Sequence, residues 1–337
     1  MNVDRCPSTL KTGFASYSPA ALRKLFQNKK VSHILPFASP ENDEKVREAF
    51  IENRKRLSIS GVQVKLSLRL DKNKLRLTSE GESGHYILKP IPVDLMKVEQ
   101  LPANEHLTMQ IAEQVFDIKT AANALVFFKD DRPAYITKRF DYKNDGTKRS
   151  MEDFATLAGK TKDTAGNDFK YEASCEYLFI LLKRFVGPYL VEAQKLFRLV
   201  LFNYAFSNGD AHLKNFSVLE TDSGDSILSP AYDLVCSRIH VGDSDLAFKH
   251  GLFVDDFETE SYKVNAFYAY DDFHALGLKV GLPEAVVKQE INQFAVKEED
   301  VKDFINRSFL TEDIKKLYFT KFQGKLQRLQ YSFNKRT

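Results

Sequence analysis

Alternating hydrophobic and polar residues in the first half of the chain predict an antiparallel sheet with one buried face. The segment VQVKLSLRL carries an apolar side chain at every second residue from Val62 to Leu70, which is the period of a half-buried strand. Two more short apolar runs flank the glycine-containing turn of LRLTSEGESGHYILKP, and ALVFFKDDRPAYITKRF contains two others around a charged turn at Asp130 and Asp131. Runs of this length, bounded by turn residues, predict strands joined by short connections.

One long helix is predicted between these pairs of strands. In PANEHLTMQIAEQVF, Leu107, Ile111 and Val115 recur at helical spacing, and Pro102 and Asn104 are start signals in front of them. We therefore expect a mixed sheet with one main helix up to about residue 140.

The hydrophobic period beyond residue 153 is that of helices. It appears in SCEYLFILLKRFV, YLVEAQKLFRLVLFNYAFS, EAVVKQEINQFA and TEDIKKLYFTKFQGKLQRLQYSF. The second of these helices is predicted to end before Gly209, which would serve as its C-cap. These patterns predict an α+β protein with two lobes, a small mixed β-sheet lobe in residues 1–140 and a mainly α-helical lobe in residues 141–337.

Composition and charge narrow the classes of function. Of the 337 residues, 43% are hydrophobic and 28% are charged, as in ordinary globular proteins. The 49 Lys and Arg nearly balance the 46 Asp and Glu, and the formal charge of +3 argues against direct nucleic-acid binding, which needs a concentrated basic face. No apolar run approaches a membrane span, and the N-terminal residues form no apolar signal core, so we expect a cytoplasmic protein.

The cysteines and histidines do not suggest a metal or disulfide framework. Cys6, Cys175 and Cys236 are scattered and form no CxxC pair, which is typical of reduced thiols. The seven His show no HExxH spacing, so a zinc site is not expected.

The segment SNGDAHLKNFSVL carries the first signal of specific chemistry. Asp210 precedes Asn215 by the spacing of the protein-kinase catalytic loop, in which the Asp deprotonates an acceptor hydroxyl and the Asn holds Mg²⁺. Within the loop, His212 is either a structural hydrogen-bonding residue or an organiser of the loop, and Lys214 is placed to contact phosphate. Asn-Gly turns followed by Asp are common, so the loop alone is a weak signal.

Three further residues occur in the order that phosphoryl transfer requires. Lys89 ends a predicted strand and Glu105 lies early on the next helix, as the phosphate-pairing Lys and its partner carboxylate do in kinases. Asp233, in LSPAYDLVC, stands where a second metal-binding residue belongs. Singly, each has an ordinary alternative as a solvated Lys, a helix N-terminal acid or a turn residue. Together with Asp210 and Asn215 they predict an ATP and Mg²⁺ site, because this reaction mainly needs positioning and neutralisation of the triphosphate charge.

The expected phosphate-covering loop departs from the usual glycine-rich form. RLSISGVQVKLSL contains one glycine, Gly61, together with Ser58, Ser60 and Lys65. The segment is either a polar turn leading into a strand or a cradle in which backbone N–H groups and serine hydroxyls hold phosphates.

These segments resemble the HipA-type serine/threonine kinases of bacterial toxin–antitoxin systems. The resemblance is carried by SISGVQVKLSL, YILKP, NEHLTMQIA, YITKRFDY, NGDAHLKNFSVL and SPAYDL, which occur in the order of that family. It implies a HipA-like two-lobed kinase fold. Full-length HipA has an extra N-terminal subdomain of which this chain shows no counterpart, so the chain is most similar to the HipT kinases of tripartite HipB–HipS–HipT systems.

The resemblance also implies roles for individual residues. Asp210 would be the catalytic base, Asn215 and Asp233 the metal ligands, and Lys89 a nucleotide-binding residue. A serine of the phosphate loop is autophosphorylated in this family, and this maps onto Ser58 and Ser60.

Partners and substrate follow from the same resemblance. It implies an aminoacyl-tRNA synthetase as substrate, tryptophanyl-tRNA synthetase for HipT-like members, and hence inhibition of translation. It also implies a HipB-like DNA-binding antitoxin and a HipS-like small protein that docks on the first lobe. Two alternatives remain from the residues themselves, a catalytically silent nucleotide-binding subunit acting through an antitoxin–DNA complex and a small-molecule kinase.

Overall fold

The structure, a computed structural model, describes residues 1–56, 64–92, 95–143 and 145–333. Its first half contains the antiparallel sheet that the alternating pattern predicts. In chain order the strands are β1 (Leu66–Asp71), β2 (Lys74–Leu77), β3 (Tyr86–Lys89), β4 (Asn123–Phe127) and β5 (Pro133–Lys138). They lie across the sheet in the order β2-β1-β3-β5-β4, and every neighbouring pair is antiparallel.

The helices confirm the predicted concentration of helical structure in the second half. They are α1 (Pro19–Phe26), α2 (Glu44–Arg56), α3 (Leu101–Gln114), α4 (Phe154–Leu157), α5 (Lys162–Ala165), α6 (Cys175–Phe185), α7 (Tyr189–Ala205), α8 (Glu260–Asn265), α9 (Tyr270–Lys279), α10 (Glu284–Val296), α11 (Glu298–Asn306) and α12 (Glu312–Gln330). The four helical segments read from the hydrophobic period correspond to α6, α7, α10 and α12.

A second, smaller sheet was not predicted. It consists of β6 (Met151–Asp153), β7 (Ser217–Glu220) and β8 (Ser226–Leu228), all antiparallel neighbours. β6 and β8 have three residues each, which is too short to display a period of two, and without a recognisable neighbouring strand β7 gives no hairpin signal.

The register of β3 with its neighbours determines which of its side chains face the apolar cluster and which face away from it. Leu88 lies opposite Leu66 and Ile136, and all three belong to the apolar cluster between the sheet and α1. Lys89 lies opposite Tyr135, and because side chains alternate along a strand it points to the other face. A slip of one residue would therefore place the ammonium group in the apolar cluster.

Helix α3 connects the sheet to the helical half. Its residues from Leu101 to Ala112 are all buried, and it contacts β4, β5 and α11. Leu107 and Ile111, predicted from their helical spacing, lie in the large apolar cluster shared with the second half. Side chains of α3 are therefore held from both sides, which gives rigid mounting to any polar residue among them.

The prediction that Gly209 caps α7 is wrong. The helix ends at Ala205, and its C-cap is Phe206, whose N–H donates to the carbonyl of Phe202. Gly209 is required for another reason, since a Cβ atom at this position would lie 2.4 Å from the Cβ of Asp243. The backbone at Gly209 thus approaches a neighbouring loop more closely than any side chain allows.

Among the residues that the structure describes, no helix is long and apolar enough to cross a membrane. The three cysteines are buried free thiols.

The lowered pKa of His106, on α3, predicts how the stability of the fold depends on pH. Its ring Nε2 lies 2.9 Å from the carbonyl oxygen of Ser8, to which it donates, and burial lowers its pKa to about 4. The unfolded chain binds a proton at this residue below about pH 6.5, whereas the folded chain does not until about pH 4. The stability due to neutral His106 is therefore complete above pH 6.5 and is lost as the pH falls.

We expect this residue to contribute about 2 kcal/mol of the loss in unfolding free energy between pH 7.5 and pH 5. Urea unfolding of the wild type and of His106→Gln at both pH values measures the contribution, and His250→Gln, at a side chain that is 60% exposed, is the control. Equal pH slopes in the wild type and His106→Gln would contradict it.

Candidate functional site

Lys89 and Glu105 form a buried ion pair between the sheet and α3. Lys89 ends β3 and Glu105 lies in the second turn of α3, and the Nζ–Oε1 distance is 2.5 Å. Both residues are 3% exposed. Burial raises the pKa of Glu105, and the Lys89 ammonium opposes that rise. Since a buried charge is costly without a partner, the pair fixes the ammonium group at one position.

Asp233 completes a three-residue cluster. Its Oδ1 lies 2.6 Å from Nζ of Lys89, and its Oδ2 lies 3.3 Å from Nζ of Lys65. Burial alone would raise the pKa of Asp233, but the ammonium groups of Lys65 and Lys89 outweigh it and hold the pKa well below its usual value. Burial alone would lower the pKa of Lys89, and Asp233 and Glu105 raise it instead. The cluster therefore holds charged groups at neutral pH, ready to exchange partners with an incoming ligand.

The backbone at Asp233 has an uncommon conformation. Its φ is +57°, a left-handed conformation that non-glycine residues adopt infrequently, although Asp and Asn tolerate it best. The preceding segment is held by hydrogen bonds from Ala121 N–H to the carbonyl of Ala231 (2.9 Å) and from Ala231 N–H to that of Lys119 (2.8 Å).

The segment after Asp233 is held by α3. The Asn104 side chain donates to the carbonyl of Cys236 (3.0 Å) and accepts from its N–H (3.1 Å). Asn104 is fully buried. Sequence reasoning read this residue only as a helix start signal, and no local pattern reveals its partner 132 residues away. Asn104 thus links the helix that carries Glu105 to the loop that carries Asp233.

Asn215 ends a short 3-10 turn that follows α7, and its side chain stabilises the loop that contains Asp210. Its Oδ1 accepts from the N–H of His212 at 3.1 Å. Tyr232, the neighbour of Asp233, donates from Oη to the carbonyl of Lys214 at 2.9 Å. The residues next to the two predicted metal ligands are therefore joined directly. Carboxylate and amide oxygens are the ligands that Mg²⁺ prefers, with the remaining positions left to water and phosphate, so Asn215 and Asp233 fit this ion chemically.

Asp210 differs from the other acidic residues of the site in being accessible. Its side chain is 54% exposed, and its Oδ1 accepts a hydrogen bond from Oη of Tyr171 at 2.6 Å. A carboxylate that is fixed by one donor and open to solvent can receive a proton from a molecule that approaches from outside.

His212 lies behind Asp210 and is neutral at physiological pH. Burial lowers its pKa to about 4, and its ring contacts the Tyr171 ring edge-on at 5.2 Å between centroids. Its Nε2 lies 3.9 Å from Asp210 Oδ1. Of the two interpretations of His212, these contacts favour an organiser of the catalytic loop over a structural hydrogen-bonding residue.

Of the remaining predicted site residues, the structure describes Lys214 but not the predicted serines and glycine of the phosphate loop. Lys214 is about half exposed, with its Nζ 4.0 Å from an oxygen of Asp153. Ser58, Ser60 and Gly61 lie outside the described residues.

Two residues beside Asp210 were missed by sequence reasoning. Lys170 and Tyr171 lie in the connection between α5 and α6, and the carbonyl of Lys170 accepts from the N–H of Leu213, inside the predicted catalytic loop, at 3.0 Å. A lone Lys-Tyr dipeptide in a polar connection has no periodicity or spacing that would mark it.

Comparisons with known proteins identify the family of the chain. The family model described as HipA-like C-terminal domain matches residues 57–301. A putative kinase of Haemophilus influenzae is 27% identical over 328 residues, which cover 91% of this chain and 90% of that protein. The serine/threonine-protein kinase toxin HipA of Shewanella oneidensis is 27% identical over 259 residues, which cover 72% of this chain and 56% of that protein.

The structural comparison gives the same fold. In the solved complex of HipA, HipB and operator DNA from Shewanella oneidensis, one chain matches with a TM-score of 0.62 and 25% identity. The match covers 81% of this chain and 65% of that chain. The chain therefore spans somewhat less than two thirds of that relative.

Proposed function

The chain belongs to the family of HipA-like C-terminal domains, which includes named kinases, and on that premise we propose that it is an ATP-dependent serine/threonine protein kinase of the toxin class. The observation that carries the proposal is the meeting of Lys89, Glu105 and Asp233 within ion-pairing distance. These residues come from β3, α3 and a distant loop, and a structural ion pair does not require the third member.

In the proposed arrangement the triphosphate of ATP binds between Lys89 and Asp210. Lys89, held by Glu105, neutralises phosphate charge, and Lys65, the residue before β1, adds a second cation. Asp233 and Asn215 would hold Mg²⁺, which supplies charge neutralisation for the triphosphate when bound. In this arrangement the nucleotide lies between the sheet-containing lobe, residues 1–140, and the helical lobe, residues 141–337.

The chemistry proposed for the chain's own residues is proton removal and positioning. Asp210 accepts the proton of the acceptor hydroxyl while that oxygen bonds to the γ-phosphorus and the bond to the β–γ bridging oxygen breaks. The electron pair of the broken bond leaves on ADP. Neutral His212 packs behind Asp210 and keeps the loop in place without competing for the proton.

The finer features of the proposal rest on the family. We propose that the substrate is an aminoacyl-tRNA synthetase, with the tryptophanyl enzyme first among them, as expected of a HipT-like kinase that inhibits translation in the cytoplasm. A HipB-like DNA-binding antitoxin and a HipS-like small protein docking on the first lobe are the proposed partners. The solved HipA of Shewanella oneidensis assembles with HipB and operator DNA, which supports the first of these.

Incubation of the purified chain with γ-labelled ATP and a cell lysate tests the function. We expect label on a protein band of synthetase size and on the chain itself, with peptide mass spectrometry assigning the latter to Ser58 or Ser60. Label in a small molecule alone would favour a small-molecule kinase. No label in any fraction would indicate a silent nucleotide-binding subunit.

A further inference from the structure

Asp210 has one hydrogen-bond donor that the proposed reaction does not use. The phenol of Tyr171 donates to Oδ1 of Asp210 at 2.6 Å, whereas a single oxygen, Oδ2, is sufficient to accept the proton from an acceptor hydroxyl. Burial, together with the neighbouring Asp210 carboxylate, raises the pKa of Tyr171 far above its usual value. The phenol therefore stays protonated and remains a donor over the whole physiological range.

Tyr171 is held in place by its backbone and by its ring. Its N–H donates to the carbonyl of Asp168 (2.8 Å), and its carbonyl accepts from the N–H of Lys249 (3.0 Å). The Lys249 ammonium joins the carboxylates of Asp168 and Glu172 on either side, at 2.9 and 2.6 Å. The ring itself packs edge-on against His212. Since several independent contacts fix it, Tyr171 is built to position another group and not to swing away from it.

Lys170 places a cation beside Tyr171. Its side chain is almost wholly buried, with its Nζ 4.9 Å from the centroid of the Tyr171 ring. Among the residues that the structure describes, no carboxylate forms an ion pair with it. Burial lowers the pKa of Lys170. The carboxylates of Asp210 and Asp168 oppose this shift, and the ammonium groups of Lys214 and Lys65 add to it. A buried cation that has no carboxylate at ion-pairing distance is unfavourable in the free protein, and a bound anion would relieve it.

We propose that Lys170 and Tyr171 form a second catalytic element of this kinase, in which Tyr171 positions Asp210 and Lys170 binds the phosphoryl group in transfer. The inference rests on the function proposed above. His212, two residues after Asp210, lies with its Nε2 3.9 Å from Oδ1 of Asp210 and packs its ring edge-on against Tyr171. Lys214 lies toward Asp153. Lys170, in contrast, is a buried cation against the ring of the tyrosine that contacts Asp210.

The two residues act at different atoms. Tyr171 keeps its proton throughout and holds Oδ1 of Asp210, so that Oδ2 faces the acceptor hydroxyl and takes its proton. Lys170 also keeps its protons and places positive charge beside the γ-phosphoryl oxygens while the bond to the acceptor oxygen forms and the bond to ADP breaks. Such preorganised charge acts most strongly where water is excluded.

A competing interpretation makes Tyr171 an inhibitor. A hydroxyl 2.6 Å from Asp210 stands at the distance expected of an acceptor hydroxyl and would then have to be displaced. This interpretation predicts that removing the phenol accelerates transfer, whereas a positioning role predicts that it slows transfer.

The experiment measures single-turnover phosphoryl transfer and ATP affinity for Tyr171→Phe and Lys170→Met. We expect Tyr171→Phe to slow transfer about 10-fold, as for the loss of a group that orients a reacting residue. Lys170→Met is expected to slow transfer about 100-fold, as for the loss of one transition-state donor, with partial recovery in Lys170→Arg. ATP affinity and the thermal midpoint of Tyr171→Phe should stay near those of the wild type.

Matched controls come from the same chain. Tyr189→Phe removes a phenol that donates to the carbonyl of Val280 at 2.8 Å, and Tyr189 lies at the end of α7 opposite to the loop that carries Asp210. Lys315→Met removes a lysine whose side chain is 13% exposed on α12. Both controls should transfer phosphate at the wild-type rate.

Double variants separate the two roles. If Tyr171 acts through Asp210, then Tyr171→Phe has no further effect in an Asp210→Asn background, while Lys170→Met still slows that background. Unchanged or faster transfer in Tyr171→Phe, or full additivity with Asp210→Asn, would overturn the role of Tyr171. Unchanged transfer in Lys170→Met would overturn that of Lys170. A wild-type chain that transfers no phosphate refutes the proposed function itself, which is a different result from an active wild type with equally active variants.

Discussion

Asp210→Asn is expected to lower phosphoryl transfer by about 10² to 10⁴-fold, the usual effect of removing a positioned general base. Asparagine has the same shape and can still accept the Tyr171 hydrogen bond, but it cannot take a proton from the acceptor. The residue is half exposed and makes no contact with Lys89 or Asp233 in the described part of the chain. ATP affinity should therefore change little.

Transfer rate and ATP affinity have to be measured on the same preparation. Asp117→Asn is the control, because Asp117 is an exposed carboxylate (82%), as Asp210 is, and Asn tolerates the positive φ found at residue 117. Transfer within a few-fold of the wild type in Asp210→Asn would remove the residue from its proposed role. Loss of ATP binding in the same variant would instead point to a structural function.

Asp233→Asn is expected to abolish the Mg²⁺ dependence of ATP binding and to lower transfer by about 10² to 10³-fold. The magnitude is that of losing one electrostatic contact to the transition state. Asparagine is among the few residues that tolerate the φ of +57° found here, so the variant removes the charge and leaves the backbone conformation in place. Lys89 keeps Glu105 as its partner, which limits the cost to folding.

The test is to measure the ATP affinity of the wild type and of Asp233→Asn, each with and without Mg²⁺. The wild type should bind ATP more tightly with the ion, and the variant should bind it equally in both conditions. An unchanged dependence on Mg²⁺ in Asp233→Asn would show that Asp233 is a structural turn residue paired with Lys89 and Lys65.

The parts of the fold that the sequence predicts are those with a clear period. The antiparallel sheet follows from the alternation that includes Leu66, Leu68 and Leu70, and the long helices follow from apolar residues at helical spacing. In the small sheet, β6 and β8 have three residues each and are too short for any period. The prediction for Gly209 was wrong because a glycine after a helix usually serves as a C-cap. The close approach of Gly209 to Asp243 is a tertiary contact that the sequence does not reveal.

The site shows the same division. Lys89 and Asp233 are 144 residues apart, and only the order of several residue types along the chain suggested that they meet. Tyr171, Lys170 and Asn104 could not be found this way. Their importance lies in contacts with Asp210, Leu213 and Cys236, and no local pattern encodes such contacts.

An ATP analogue that carries an acyl-phosphate group tests most directly whether the triphosphate binds beside Lys89 and Asp210, because such a reagent acylates lysines next to its phosphates. Peptide mass spectrometry of the modified chain should find the label on Lys89, Lys65 or Lys170, and excess ATP with Mg²⁺ should prevent it. Label spread over exposed lysines such as Lys263, without protection by ATP, would contradict a nucleotide site at this position.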